Sequence, residues 1–422
     1  MSRIGIIYPR ANIDTVPSLI GAAETFADHG YDVDLFTLTL AGQPAPEFSS
    51  PRIWLRSLGH EGLADHSTAG LRSLVKRAGW LPNSARAPLA RGYAVLGAGL
   101  AHGTRFAARA RGVVAETSAE PFACVIGVDP DGLALAQTIA HGAPVGYYSL
   151  ELLLSYEVGS PAEHRLKAQE RTLSRQAEFI VVQDEARGRL LAEDNGVSWE
   201  RLVLVPNAPP GPARRRPSSY WHTRFELPAD ARVVVHSGSL GDWTGIQAIV
   251  DSAADWPAQW VLVIHTRYDG HSSAYVDDLR RRADAGRVWF SLSPVPRQDY
   301  DPLIDGAHVG LAFYVSSGGS SFTQRNIQTI GLSSGKLAYY LRAGLPVIVN
   351  RAASIAELIR SSGCGVAVED AAAIGPALDR ISGGYADFSA RACAFFEERL
   401  DFRRAFGEVV QRVDALHRAR RD

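Results

Sequence analysis

The chain has 422 residues, 46% of them hydrophobic, and a formal net charge of −1. That length suits two to three domains of about 100–200 residues each, and so balanced a charge removes the general argument for a nucleic-acid partner or an acidic one. Cys124, Cys364 and Cys393 are too widely spaced for a metal site or a disulfide framework, so they read as small buried apolar residues of a reducing compartment.

Ile4–Tyr8 opens the chain as a strand; its apolar run is too short for a signal peptide. No later stretch approaches the ~20 apolar residues of a membrane span, so a cytoplasmic protein is the expectation. Ser18–His29 reads as a helix closed by Gly30, and Tyr31–Leu38 as the next strand. Residues 66–115 contain no acidic residue but carry Arg72, Lys76, Arg77, Arg86, Arg91, Arg105, Arg109 and Arg111 among leucines, alanines, Trp80, Tyr93 and Phe106. This pattern fits a basic amphipathic face that docks peripherally on an anionic membrane or receives an anionic acceptor; it equally fits a solvated helical pair. Phe122–Val128 is a buried strand with Leu133–His141 as its helix. Val145–Ser149, Phe179–Gln183 and Leu202–Val205 are further strands. Strands alternating with helices imply parallel βαβ units and a doubly wound sheet.

Pro206-Asn207-Ala208-Pro209-Pro210-Gly211-Pro212 cannot continue helix or sheet, and Arg214-Arg215-Arg216-Pro217 keeps the segment solvated, so residues 206–217 form a linker. The alternation then restarts with strands at Val233–His236, Gln259–Ile264, Val288–Leu292, Val309–Phe313 and Pro346–Val349. The expected organisation is an α/β chain of two Rossmann-like, doubly wound parallel-sheet domains facing a cleft. Residues 1–205 form the first domain and 218–389 the second, with C-terminal helices over 390–422 able to cross back to the first. Open α/β sheets bind ligands at their carboxyl ends.

Two signatures fail. A P-loop needs a glycine at position 330 and a hydroxyl after Lys336, where Ile330 and Leu337 stand; the G-x-G-x-x-G fingerprint fails at His236. Asp129-Pro130-Asp131 has the D-x-D spacing that can chelate a divalent ion beside a phosphate, but a helix follows at once, which favours an N-cap. No metal site is expected.

The most informative segment is Ser333-Ser334-Gly335-Lys336, which opens a helix that ends in Ala343-Gly344-Leu345-Pro346-Val347-Ile348. A helix N-terminus carries free N–H groups and about +0.5 of partial charge. With Lys336 and the two serine hydroxyls it would make a diphosphate site. Leu337, Tyr340 and Leu341 share a face directed at the core; Lys336, Tyr339 and Ala343 share another, where lysine and tyrosine could touch one ligand. A plain helix–loop–strand unit is the alternative. Upstream, Val233–His236 runs into the turn Gly238-Ser239-Leu240-Gly241, whose glycines let backbone N–H groups approach phosphate.

These residues resemble the donor domain of retaining GT-B glycosyltransferases of family 4. The resemblance spans most of the chain in outline and is specific over 326–349. It implies a nucleotide-sugar donor bound by Gly238, Ser239, Val295, Ser333, Ser334, Gly335, Lys336 and Tyr339, with Val295 in the loop Ser293–Pro296 that edges the base. The loop Ser316–Ser321 reads either as a cover for the donor or, equally, as a plain loop. The resemblance also implies catalysis without a metal or other cofactor. Two positions depart from the family: Asp242 and Thr244 stand where an Arg/Lys pair is usual, and Tyr339 stands where a glutamate grips the ribose.

In the first domain, Tyr147-Tyr148-Ser149-Leu150-Glu151 corresponds to a Tyr-Asp-x-His-Glu pattern at Glu151 alone. Glu151 and Asp129 are the catalytic-side carboxylates that would contact an acceptor, whether a small molecule, a lipid-linked group or a glycan; capping the helices that follow is the alternative for each. With retention the departing phosphate can take the acceptor's proton; with inversion Asp129, His141 or Glu151 would be the base. Two rival functions remain at this point: a sugar-nucleotide epimerase or hydrolase, and a non-catalytic GT-B protein that binds a sugar nucleotide or serves as a scaffold.

Overall fold

The computed structural model describes residues 2–40, 48, 50–61, 108, 111–112, 114–115, 121–266, 274–316 and 324–420. The basic stretch 66–115 and the loop Ser316–Ser321 lie almost wholly outside them. The chain divides into two compact units, one of Met1–Val205 with Ala405–Asp422 and the other of Pro206–Arg404.

Unit 1 runs β1 (Arg3–Tyr8), α1 (Pro17–Asp28), β2 (Asp32–Leu40), β3 (Ile53–Glu61), β4 (Phe122–Val128), α2 (Asp129–Ile139), β5 (Val145–Tyr148), α3 (Pro161–Ser174), β6 (Phe179–Val182), α4 (Glu185–Asn195) and β7 (Leu202–Leu204). The strands form one sheet in the order β3-β2-β1-β4-β5-β6-β7. Every pairing is parallel, with Ile6 opposite Leu35 and Val125 opposite Val145. β4 is buried at all its residues, as a strand covered on both faces must be. Two glycines let α2 start hard against the sheet. A Cβ at Gly132 would lie 2.5 Å from the Ile7 carbonyl oxygen, and one at Gly127 would lie 2.4 Å from Leu133 Cα.

Unit 2 continues with α5 (Tyr220–Phe225), β8 (Arg232–Ser237), α6 (Ile246–Ser252), β9 (Trp260–His265), α7 (Ala274–Arg282), β10 (Val288–Ser291), α8 (Arg297–Asp305), β11 (Val309–Ala312), α9 (Gln324–Gln328), α10 (Gly335–Arg342), β12 (Val347–Asn350), α11 (Ala353–Ser362), β13 (Gly365–Val368), α12 (Ile374–Gly383) and α13 (Tyr385–Arg399). Its parallel sheet has the order β10-β9-β8-β11-β12-β13. Leu337, Tyr340 and Leu341 of α10 are fully buried, as the helical spacing predicts, each contributing about 2 kcal/mol of burial. Gly310 of β11 makes room for Tyr340, whose ring would otherwise stand 2.3 Å from a Cβ. Ala343 is buried too, so it does not join Lys336 on an open face.

The last helix, α14 (Phe402–Ala419), returns to unit 1 from Ala405 onward. There Phe406 meets Phe26 edge-on at 5.1 Å, and the Tyr31 hydroxyl donates to Asp414. Among the described residues no helix is long and apolar enough to cross a membrane.

Candidate functional site

In unit 2 the chemistry collects at the carboxyl ends of β8 and β11. β8 ends at Ser237 and passes into Gly238, whose φ of +151° is a conformation that favours glycine. The Lys336 side chain lies over this turn, with Cε 3.5 Å from where a Gly238 Cβ would be. Its ammonium rests on two ring faces, 4.8 Å from the Tyr314 centroid and 5.7 Å from that of Trp243. The two rings stack at 6.0 Å. Tyr314 is pinned on three sides: its N–H donates to Asn350 Oδ1 (2.9 Å), its carbonyl accepts from Asn350 Nδ2 (2.6 Å), and its hydroxyl meets Ser334 Oγ at 2.5 Å. The Trp243 carbonyl accepts from the Val315 N–H at 2.8 Å, which ties both rings to one piece of backbone.

Beneath the lysine lies His236, fully buried, with Nε2 3.4 Å from the Ser239 carbonyl. Burial and the Lys336 charge hold its pKa well below the usual value, so the imidazole is neutral. Next to it the Ser237 N–H donates to the Tyr340 hydroxyl (2.7 Å), and Ser237 Oγ meets the Tyr300 hydroxyl (2.9 Å). Tyr339 turns its ring onto the edge of Tyr300, with centroids 4.6 Å apart. Val295 is half-buried in the loop between β10 and α8, two strands from β8.

The two serines make local contacts with the backbone. Ser334 is the N-cap of α10, and its Oγ accepts from the Leu337 N–H at 3.2 Å. Ser333 belongs to the preceding 3₁₀ turn, and its hydroxyl donates to the Ile330 carbonyl (2.6 Å). The Ser334 contact is a helix cap and the Ser333 contact closes the turn before it.

Unit 1 gathers a different set at the carboxyl ends of β1, β4 and β5. Asp129 holds a left-handed φ of +56°, which is uncommon for a residue with a Cβ. It is not the cap of its own helix: Val128 occupies the N-cap position of α2 without a side-chain bond. Instead Asp129 Oδ1 accepts from the N–H groups of Leu150 (2.9 Å) and Glu151 (3.0 Å), while Oδ2 faces Arg10 Nη2 at 3.2 Å. Among the described residues no group of three or more His, Cys, Asp and Glu is arranged for a metal ion.

Glu151 caps no helix either; α3 begins ten residues later, capped by Ser160. Glu151 borders Arg187, which is fully buried and donates to the Leu150 carbonyl at 2.7 Å. Glu151 and Asp131 are both exposed as residues, but protein crowded round each carboxyl displaces water from it and raises its pKa; at Glu151, Asp129 pushes the same way while Arg187 and Arg10 oppose it. His141 lies beyond the far end of α2, a helix-length from Asp129, and does not join the cluster. Arg10 and Arg187 escaped sequence reading because neither has a motif: one follows β1, the other sits in α4, and only folding makes them neighbours of Glu151.

Residues 310–400 match the family described as glucosyltransferase 3-like, C-terminal domain. No curated protein matches the chain in sequence. Among solved structures, a sucrose-phosphate synthase from Thermosynechococcus elongatus is 16% identical with a TM-score of 0.67, covering 99% of this chain and 100% of its own. Anabaena HepE in complex with UDP-glucose is 14% identical with a TM-score of 0.64, covering 98% and 100%. A trehalose 6-phosphate synthase from Burkholderia multivorans is 14% identical with a TM-score of 0.60, covering 99% and 100%. With the two parallel sheets, these likenesses establish a GT-B fold of two Rossmann-like units.

Proposed function

We propose that the protein is a glycosyltransferase that takes a sugar from a nucleoside-diphosphate donor bound by unit 2 and passes it to an acceptor. The observation that carries this reading is Lys336, held in the first turn of α10 above the Gly238 turn. Match of 310–400 to a glucosyltransferase-like domain supports it, because that stretch contains both α10 and Tyr314. A nucleoside diphosphate leaves with growing negative charge, and preorganised donors that meet the charge lower the barrier. The Lys336 ammonium and the positive end of the α10 dipole do so without a metal. The acceptor oxygen bonds to the anomeric carbon on the face from which the diphosphate departs, and the departing phosphate takes the acceptor's proton, so configuration is retained and no separate base is needed. In unit 1, Asp129 and Glu151 with Arg10 supply acceptors and donors suited to a polyol. HepE is described with UDP-glucose, so a uridine nucleotide is the first donor to try.

Calorimetric titration with UDP, ADP and GDP, then with the corresponding sugar nucleotides, tests the proposal. We expect one base to bind and Lys336→Ala to weaken it at least tenfold, about 1.4 kcal/mol. Turnover should survive EDTA, and the product should keep the donor's anomeric configuration by proton NMR. No binding to any of the three nucleotides would refute the reading and leave a scaffold. Release of an epimerised or hydrolysed sugar with no acceptor present would replace transfer with the epimerase or hydrolase alternative.

A further inference from the structure

The segment after β8 sets this site apart. Where the family resemblance leads one to expect a basic pair, this chain has Asp242-Trp243-Thr244, and the residue between the two departures turns its ring toward Lys336. Tyr314, from the other flank, brings a second ring to the same ammonium. Both rings are built in. Trp243 is joined through its carbonyl to Val315, and Tyr314 is fixed by Asn350 and by the Ser334 that caps α10.

We propose that Trp243 and Tyr314 are positioning residues: together they form an aromatic seat that orients the Lys336 ammonium toward a phosphate and stands in for the missing basic pair. This rests on the donor-site reading above. The physical advantage is specific. A carboxylate partner would orient a lysine but cancel its charge, whereas a ring face attracts a cation through its quadrupole and leaves the formal charge intact. The Tyr314–Ser334 contact couples the seat to the cap of α10, so the ammonium and the helix N-terminus are held in register. A single well-placed cation then replaces two mobile ones, at less entropic cost on binding.

The test uses the full-length chain and compares UDP, ADP and GDP with their parent nucleosides. Trp243→Ala and Tyr314→Leu should each weaken the preferred nucleoside diphosphate about tenfold and leave the parent nucleoside unchanged. Trp243→Phe should restore affinity to within about threefold, since it keeps a ring. In a Lys336→Met background, Trp243→Ala should add no further loss. Equal weakening of nucleoside and diphosphate, or a full additive loss on top of Lys336→Met, would overturn the seat while leaving the donor site standing. Should the unaltered protein bind none of the nucleotides, the donor reading fails and the seat falls with it. Unchanged near-ultraviolet circular dichroism in each variant separates these results from unfolding.

Discussion

Each unit contains one lysine that the fold has buried, and the two are handled in opposite ways. Lys167 in unit 1 is 3% exposed and meets Glu170 Oε2 at 3.0 Å, Asp194 Oδ2 at 2.6 Å and Asn195 Oδ1 at 2.5 Å, and also donates to the Leu153 carbonyl. The Tyr147 hydroxyl closes the network on Glu170 at 2.7 Å. Lys336 in unit 2 is 8% exposed and rests on the faces of Trp243 and Tyr314. The first charge is consumed by structure. It staples α3 and α4 to the loop after β5, the loop that carries Glu151. The second rests on ring faces, which attract a cation through their quadrupole without themselves carrying an opposite charge.

The comparison would break most visibly at Lys167. Lys167→Met leaves Glu170 and Asp194 without their cation in a buried site, so unit 1 should lose about 3–5 kcal/mol, read as a lower urea midpoint. Lys336→Met should cost less, about 1 kcal/mol by the same measurement, because the new side chain still packs on the two rings that seat the ammonium. Equal losses for the two would mean that Lys336 is as structural as Lys167. Tyr314→Phe keeps the ring and deletes the hydroxyl at Ser334; a destabilisation of about 1 kcal/mol is expected, with the ammonium still seated.

The smallest effect concerns Glu151, whose folded pKa is raised above its ordinary value of 4.5. A carboxyl with a raised folded pKa contributes its full stability below about 4.5, where it is protonated in both states, and loses it as pH rises through the folded value. Glu151→Gln should therefore raise the melting temperature slightly at pH 7.5 and leave it unchanged at pH 4. A fall at pH 7.5 would show that the ionised carboxylate is held favourably by Arg10 and Arg187.

Local chemistry determined much of this protein. Buried runs such as Phe122–Val128 are strands because no other element satisfies a short, wholly apolar segment between turns, and the alternation with amphipathic helices makes the sheets parallel. The helix at Lys336 and its buried face were legible for the same reason. β3 and β13 were not: β3 mixes polar with apolar residues, and β13 is a four-residue run with glycine and alanine at alternate positions, so neither carries a clear strand pattern. Tertiary structure alone decided the partners of the functional side chains. Asp129 reads as a cap from its neighbours in sequence, yet its carboxylate is claimed by N–H groups 21 and 22 residues away. Ser333 and Ser334 are adjacent in sequence, yet one hydroxyl closes a 3₁₀ turn on the Ile330 carbonyl and the other caps α10. Trp243 and Tyr314 are 71 positions apart and become one surface only when β8 and β11 pair. Periodicity is a property of adjacent residues and survives in the sequence; hydrogen-bond and ring partners are chosen by distance in space, which only the folded chain sets.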